Sequence, residues 1–207
     1  MPTPTPAAKT EIIPAEPTPG SGATLTKLTS LWKGRSPAAA ADSVWVPAAS
    51  GALIVAAGAM SLATGRPWLF AGIGPTAVLI AASPGHATTR FHAVVGGHVV
   101  ALVCAWLAVL LLGATGAPSL AAGPAVPVVR VWASAIAVAL TTLVQPSLRA
   151  YHPPAAATAL LVTLGAYRLN WKNAGALLGG VLVVALLGEW FQRIRLAERQ
   201  RAHGTRR

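Results

Sequence analysis

The sequence predicts an all-α protein: a polytopic transmembrane helical bundle of six apolar segments in two three-segment repeats, with two segments short enough to be re-entrant. Composition is the first observation behind this. Of 207 residues, 54% are apolar and 10% are charged, and the mean hydropathy is +0.60. An ordinary soluble domain is about 45–50% apolar and about 25% charged. The second observation is the placement of charge. The net charge is +11, and the five acidic residues are Glu11, Glu16, Asp42, Glu189 and Glu198, too few to supply a paired-carboxylate enzyme. Lys9, Lys27, Lys33 and Arg35 precede the first apolar run, and six arginines lie between Arg193 and Arg207. Basic clusters flanking apolar segments mark a cytoplasmic face. Without aromatic–basic interleaving or a recognised motif they do not indicate nucleic acid. The third observation is an internal repeat at a spacing of just over eighty residues.

Residues 1–42, rich in Pro, Thr, Ala and Gly, read as a disordered cytoplasmic tail that cannot build a core. No apolar stretch follows a basic start there, so it is not a signal peptide. The apolar segments are 44–64, 68–83, 93–113, 126–144, 153–169 and 174–191. A bilayer span needs about 20 helical residues, about 17 at the least. The second and fifth segments are marginal and carry helix breakers: Gly72, Gly74 and Pro75 in one, Pro153 and Pro154 in the other. Residues 193–207 form a basic cytoplasmic tail. The transmembrane domain is therefore 43–192.

Pro75-Thr76-Ala77-Val78-Leu79-Ile80 matches Ala157-Thr158-Ala159-Leu160-Leu161-Val162 at an offset of 82 residues, and Ala93-Val94-Val95-Gly96-Gly97 matches Ala176-Leu177-Leu178-Gly179-Gly180 at 83. This gives repeats of 44–113 and 126–191. Three spans per repeat would invert the halves relative to each other. With six spans and both termini inside, twelve basic residues lie inside, Arg90 and Arg149 among them, against Arg66, Arg130, Arg168 and Lys172 outside. A four-span arrangement with re-entrant second and fifth segments would move Arg90 and Arg149 outside. Charge alone leaves both open.

Few residues could carry chemistry in such a chain. His152-Pro153-Pro154 opens the fifth segment. Prolines suit a helix start, and a helix N-terminus at membrane depth attracts anions. His98 lies in the third segment, where an ionisable group is a candidate site by default. Thr76 and Thr158 hold matching places in the repeats and could line a polar path or bond back to their own helices. Arg90 and Arg149 flank the short segments, where they could draw an anion to a mouth or hold loops inside. His86, His92 and His98 are spaced by six, which turns them apart on a helix instead of converging on a metal. No metal, cofactor or nucleophile–base set is expected.

The stretch Tyr151-His152-Pro153-Pro154-Ala155-Ala156-Ala157-Thr158-Ala159-Leu160-Leu161 resembles the signature of the HPP family of integral membrane proteins, named for its His-Pro-Pro motif. The region from Ser83-Pro84 through Arg90 to Gly96-Gly97-His98 is similar to the family's other common region. Thr89-Arg90-Phe91 departs from the Pro-Arg-Asn expected there. The resemblance covers about 44–195 and implies a four-spanning membrane protein. Some plastid and cyanobacterial members are implicated in nitrite transport.

The expectation is thus a transporter or channel for a small inorganic anion, with nitrite as the candidate that the resemblance supplies. The alternative is a non-transporting scaffold or regulatory subunit. The protein is expected to lie in the cell (plasma or inner) membrane with lipid around it, both termini cytoplasmic, no enzymatic activity and a homo-oligomeric assembly.

Overall fold

Among the described residues, four helices are long and apolar enough to cross a membrane: α1 (Pro37–Thr64), α3 (Phe91–Leu111), α4 (Val128–Ser147) and α6 (Trp171–Gly204). Two short apolar helices stand between them, α2 (Ile73–Ala82) and α5 (Ala156–Thr163), the latter led by a single 3-10 turn, Pro153–Ala155. The structure, a computed structural model, describes residues 37–204 except 124, 168 and 169. Side chains are described within 41–201. Residues 1–36 lie outside the described residues, and so does most of the expected N-terminal tail. The chain divides into two units, Met1–Ala40 and Ala41–Arg207, and the helical bundle belongs to the second.

Helix boundaries depart from the sequence expectation at both ends. Residues 37–42, expected as tail, are already helical. Pro37 and the alanines after it explain this, because proline fits the first helical turn and alanine has the best helix propensity. Residues 193–204, expected as a separate basic tail, are the last turns of α6. Arg193 pairs with Glu189 one turn earlier at 3.3 Å, and Arg195 pairs with Glu198 at 2.9 Å, the spacing that supports a helix surface.

The short helices are shorter than their apolar segments. Ten helical residues rise about 15 Å, half of a hydrocarbon core about 30 Å thick. Non-helical chain supplies the remaining length. Pro67 accepts a hydrogen bond from the Tyr167 hydroxyl at 2.7 Å, close to where α6 begins. At the other end of the segment, Gly85 donates its N–H to Gln192 at 2.9 Å, late in α6. The stretch 67–85 therefore runs alongside α6 over about 31 Å, the rise of the helix from 171 to 192 at 1.5 Å per residue. The stretch from Arg149 to Tyr167 makes the reverse journey. It starts beside Gly97 early in α3 and ends beside Tyr167's partner Pro67. Trp106 and Trp171 stack edge-on at 4.9 Å, which sets the end of α3 against the start of α6. One end of the bundle, here the basic end, thus carries Asp42, Arg90, Arg149 and the last turns of α6. The other, the loop end, carries Tyr167 and the 112–127 loop.

Glycine pairs let the non-helical chain in. A Cβ on Gly97 would lie 2.7 Å from the His152 Cβ, and one on Gly96 would lie 2.9 Å from the Ala150 Cβ. In the other half, a Cβ on Gly179 would lie 2.7 Å from the Trp68 ring, and one on Gly180 would collide with the Trp68 carbonyl. The two pairs are the ones matched by the repeat. One long helix of each half, α3 or α6, cradles the lead-in of the other half's short helix. Alanines fill most of the remaining core: Ala101, Ala105, Ala133, Ala137, Ala155 and Ala159 are all fully buried. Small side chains allow the close helix approach that membrane bundles rely on.

Gly180→Ala should therefore lower the thermal midpoint of the detergent-solubilised protein, corresponding to about 1–3 kcal/mol of overpacking. Gly175→Ala, whose Cβ meets nothing within 4 Å, should leave it unchanged or raise it. Equal effects of the two would contradict the cradle.

Candidate functional site

Where the two short segments meet, four side chains from four parts of the sequence close on one another. Thr76 comes from the first turn of α2, His98 from α3, His152 from the lead-in to α5, and Thr158 from α5 itself. All four are 0% exposed. The Thr76 Oγ1 lies 3.1 Å from Nε2 of His98 and 3.1 Å from Nε2 of His152. The other nitrogen of His98 lies 2.7 Å from the Thr158 Oγ1. The other nitrogen of His152 lies 2.8 Å from the Thr88 carbonyl. Local chain geometry sets this up. Gly96 and Gly97 admit the 150–152 backbone beside His98, and Gly72 lets the start of α2 approach Thr158, where a Cβ would sit 2.8 Å from Oγ1.

The partners fix the direction of the hydrogen bonds. A carbonyl only accepts, so Nδ1 of His152 carries a proton and donates to Thr88. A neutral His152 then presents Nε2 as an acceptor, which is paired only when the Thr76 hydroxyl donates to it and not to the Gly72 carbonyl 2.9 Å away. With its proton spent, Thr76 accepts from Nε2–H of His98. That leaves Nδ1 of His98 as acceptor for the Thr158 hydroxyl. Each donor in the chain Thr158, His98, Thr76, His152 therefore points toward Thr88. Buried polar groups need such partners, and here every ring nitrogen of the cluster has one.

Gln145, 1% exposed, braces the lead-in: its amide nitrogen donates to the Gly97 carbonyl at 3.1 Å, and its oxygen accepts from the His152 N–H at 3.3 Å. Gln192 braces the loop that offers the Thr88 carbonyl. It accepts from Gly85 N–H and the Thr89 hydroxyl (2.8 Å) and donates to the Thr89 carbonyl at 3.0 Å.

A cavity of about 640 Å³ opens at the basic end, lined by His86, Thr88, Arg90, His92, Arg149 and Tyr151 among others. The three described carboxylates are engaged elsewhere: Asp42 with Arg195 and Arg199, Glu189 with Arg193, Glu198 with Arg195. Neither Arg90 nor Arg149 has a carboxylate partner among the described residues. Arg149 also holds an unusual backbone, with φ of +54°. It ends α4 in a left-handed cap, its N–H bonded to the Pro146 carbonyl and that of Ala150 to Gln145. Gly165, at φ +76°, ends α5 by the same pattern, through Val162 and Leu161. Glycine takes this position without strain and arginine does not, so the guanidinium is held at the cavity at some conformational cost.

The six residues singled out from sequence thus fall into two groups: Thr76, His98, His152 and Thr158 in the buried cluster, Arg90 and Arg149 at the cavity, with Thr88 joining them. Pro153 and Pro154 form the 3-10 turn that starts the fifth segment's helix. His86, in the loop before α3, and His92, in the first turn of α3, line the same cavity as the arginines. Sequence reasoning missed Thr88, which acts through its backbone, and the two glutamines. A lone amide in an otherwise apolar helix is the available signal for Gln145. Arg130, expected as a charge on the outer side, is 5% exposed. Its guanidinium donates to the carbonyls of Ala117 (2.6 Å), Pro118 (2.6 Å) and Thr163 (2.7 Å). It caps the C-terminal end of α5, where a cation faces the negative pole of the helix.

Arg130→Met should lower the thermal midpoint in detergent, because three carbonyls lose their donor at about 1–3 kcal/mol for each one left unsatisfied. Arg130→Lys should recover only part of the loss, since one ammonium lacks the fork that reaches all three. A midpoint unchanged in Arg130→Met would remove the capping role.

A family model described as HPP, transmembrane region, matches residues 35–202. Neither a curated protein nor a solved structure matches the chain. The match contains the whole of both short segments, both glycine pairs and the His-Pro-Pro turn, and the chain belongs to the HPP transmembrane family as a multi-pass membrane protein.

Proposed function

We propose that this protein carries a small inorganic anion across the membrane, and that nitrite is the first substrate to test. The observation that carries the reading is the pairing of a cationic mouth with a buried polar cluster. Arg90 and Arg149 line one cavity without carboxylate partners among the described residues, and Thr88, on the same lining, accepts through its carbonyl from His152 of the buried cluster. Uncompensated guanidinium groups beside a cavity attract anions and concentrate them at the mouth. Behind the mouth, interrupted helices at membrane depth are the arrangement by which transporters build binding sites. His152, Thr76, His98 and Thr158 are the substrate-facing groups of the inner site. Their hydroxyl and imidazole hydrogens now bond within the cluster, and a small oxyanion entering it would take over some of those donors.

The basic residues favour an orientation with both termini and the arginine cavity on the cytoplasmic side of the cell membrane. In this reading the protein has no enzymatic activity, and it works as a homo-oligomer surrounded by lipid.

The test is nitrite flux in proteoliposomes containing the purified full-length chain. His152→Ala should abolish flux while the protein remains monodisperse in detergent. Arg149→Gly removes the guanidinium and relieves the left-handed backbone, so it should keep or raise thermal stability while raising the half-saturation concentration about tenfold, the equivalent of about 1.4 kcal/mol. A folded wild type that moves no nitrite, nitrate, formate or bicarbonate would overturn the reading. So would full flux in His152→Ala.

A further inference from the structure

The Thr76 hydroxyl has a third partner. Besides the two imidazoles, Oγ1 lies 2.9 Å from the Gly72 carbonyl, one turn back in its own segment. That alternative acceptor gives the cluster two complete hydrogen-bonding states. In the neutral state, Thr76 donates to Nε2 of His152. Add one proton to that nitrogen, and His152 becomes a donor at both ends, to Thr88 and to Thr76. Thr76 then accepts from both histidines, which its two lone pairs permit, and turns its own proton to the Gly72 carbonyl. His98 and Thr158 stay as they were. Nothing in the cluster is left unsatisfied in either state, and the only requirement is that the hydroxyl rotate.

We propose that this cluster is the proton site of a proton–anion cotransporter, in which His152 holds one added proton while an anion occupies the arginine-lined mouth. The inference rests on the transport reading and adds its coupling ion. Charge makes the two bind together. The groups around the cluster are His98 on α3, Tyr151 on the lead-in, and His86, Arg90, His92 and Arg149 at the cavity. All are neutral or cationic in their usual forms. The described carboxylates are bound to arginines of α6, and none bonds to the cluster. A proton added to a closed site with no counter-charge is strongly disfavoured. An anion at the mouth supplies that counter-charge, and the proton in turn offsets the anion. The step itself is acid–base only. When the cluster opens to the mouth, an N–H bond forms at Nε2 as an O–H bond of hydronium breaks. Release on the far side reverses it.

The experiment uses the full-length protein in sealed proteoliposomes, with potassium and valinomycin setting the membrane potential independently of an imposed pH gradient. Nitrate and nitrite are both used. Nitrate is the cleaner probe because its acid is too strong to leak undissociated, and protein-free vesicles give the background for nitrite. The expected result is accumulation in the alkaline interior with no anion gradient, unaffected by the potential, approaching about tenfold per pH unit for one proton per anion. Thr76→Ser should keep that coupling, and Thr76→Val should lose it. Flux that follows the potential and ignores the pH gradient would overturn the proton site and leave anion transport standing. No flux of either anion would overturn both. Because the wild-type stoichiometry decides the matter, a Thr76→Val variant that fails to fold does not protect the proposal.

Discussion

Backbone that is not helical cannot face lipid. Its N–H and C=O groups find no water in the hydrocarbon, so protein must surround them. Everything distinctive in this molecule comes from meeting that constraint twice. The lead-ins at 67–72 and 150–152 are non-helical, and each packs against a pair of glycines on a long helix of the opposite half, Trp68 against Gly179-Gly180 and Ala150 and His152 against Gly96-Gly97. Side chains at these positions would hold the helices too far apart to shield the chain. Gln145 and the flanking loops then satisfy the groups that glycines alone would only bury. Broken segments are thus the price of placing helix starts and imidazoles between long apolar helices, and the reciprocal glycine pairs make that arrangement stable.

The same constraint bears on the internal similarity of the two halves. The residues that match in sequence perform the same task in space, each half serving the other, and the two halves run in opposite directions through the bundle. Thr76 and Thr158 illustrate how matching positions can still diverge. Thr76 sits between two histidines, whereas Thr158 meets only His98. The single hydroxyl shared by two imidazoles is therefore a property of one half alone, and it makes the cluster asymmetric.

Much of the bundle is legible in the sequence, and for identifiable reasons. Long apolar runs, breakers in the second and fifth segments, and the spacing of glycine pairs are all local patterns, so the helices and their interruptions can be read. His98, His152, Thr76 and Thr158 stand out because polar groups are rare in such segments. Their convergence cannot be read, because it depends on how the lead-ins pack across the two halves. Thr88 acts through a carbonyl that any residue would carry, so no sequence signal marks it. Arg130 reads from sequence as a topology charge and serves in the fold as a helix cap. Only the carbonyls around it distinguish the two. The helical extent of residues 193–204 is likewise obscured, because a basic run reads equally well as a solvated tail or as a helix laced by i,i+4 pairs.

The central claim is that the two interrupted segments bring Thr76 and His152 against His98 of α3, so that both imidazoles share one threonine hydroxyl inside the bilayer. Solid-state nitrogen NMR of histidine-labelled protein in lipid, under alkaline conditions, tests this most directly. The account predicts two neutral imidazoles locked in opposite tautomers, His152 protonated at Nδ1 and His98 at Nε2. Two histidines in the same tautomer, or rings exchanging freely with solvent, would contradict it.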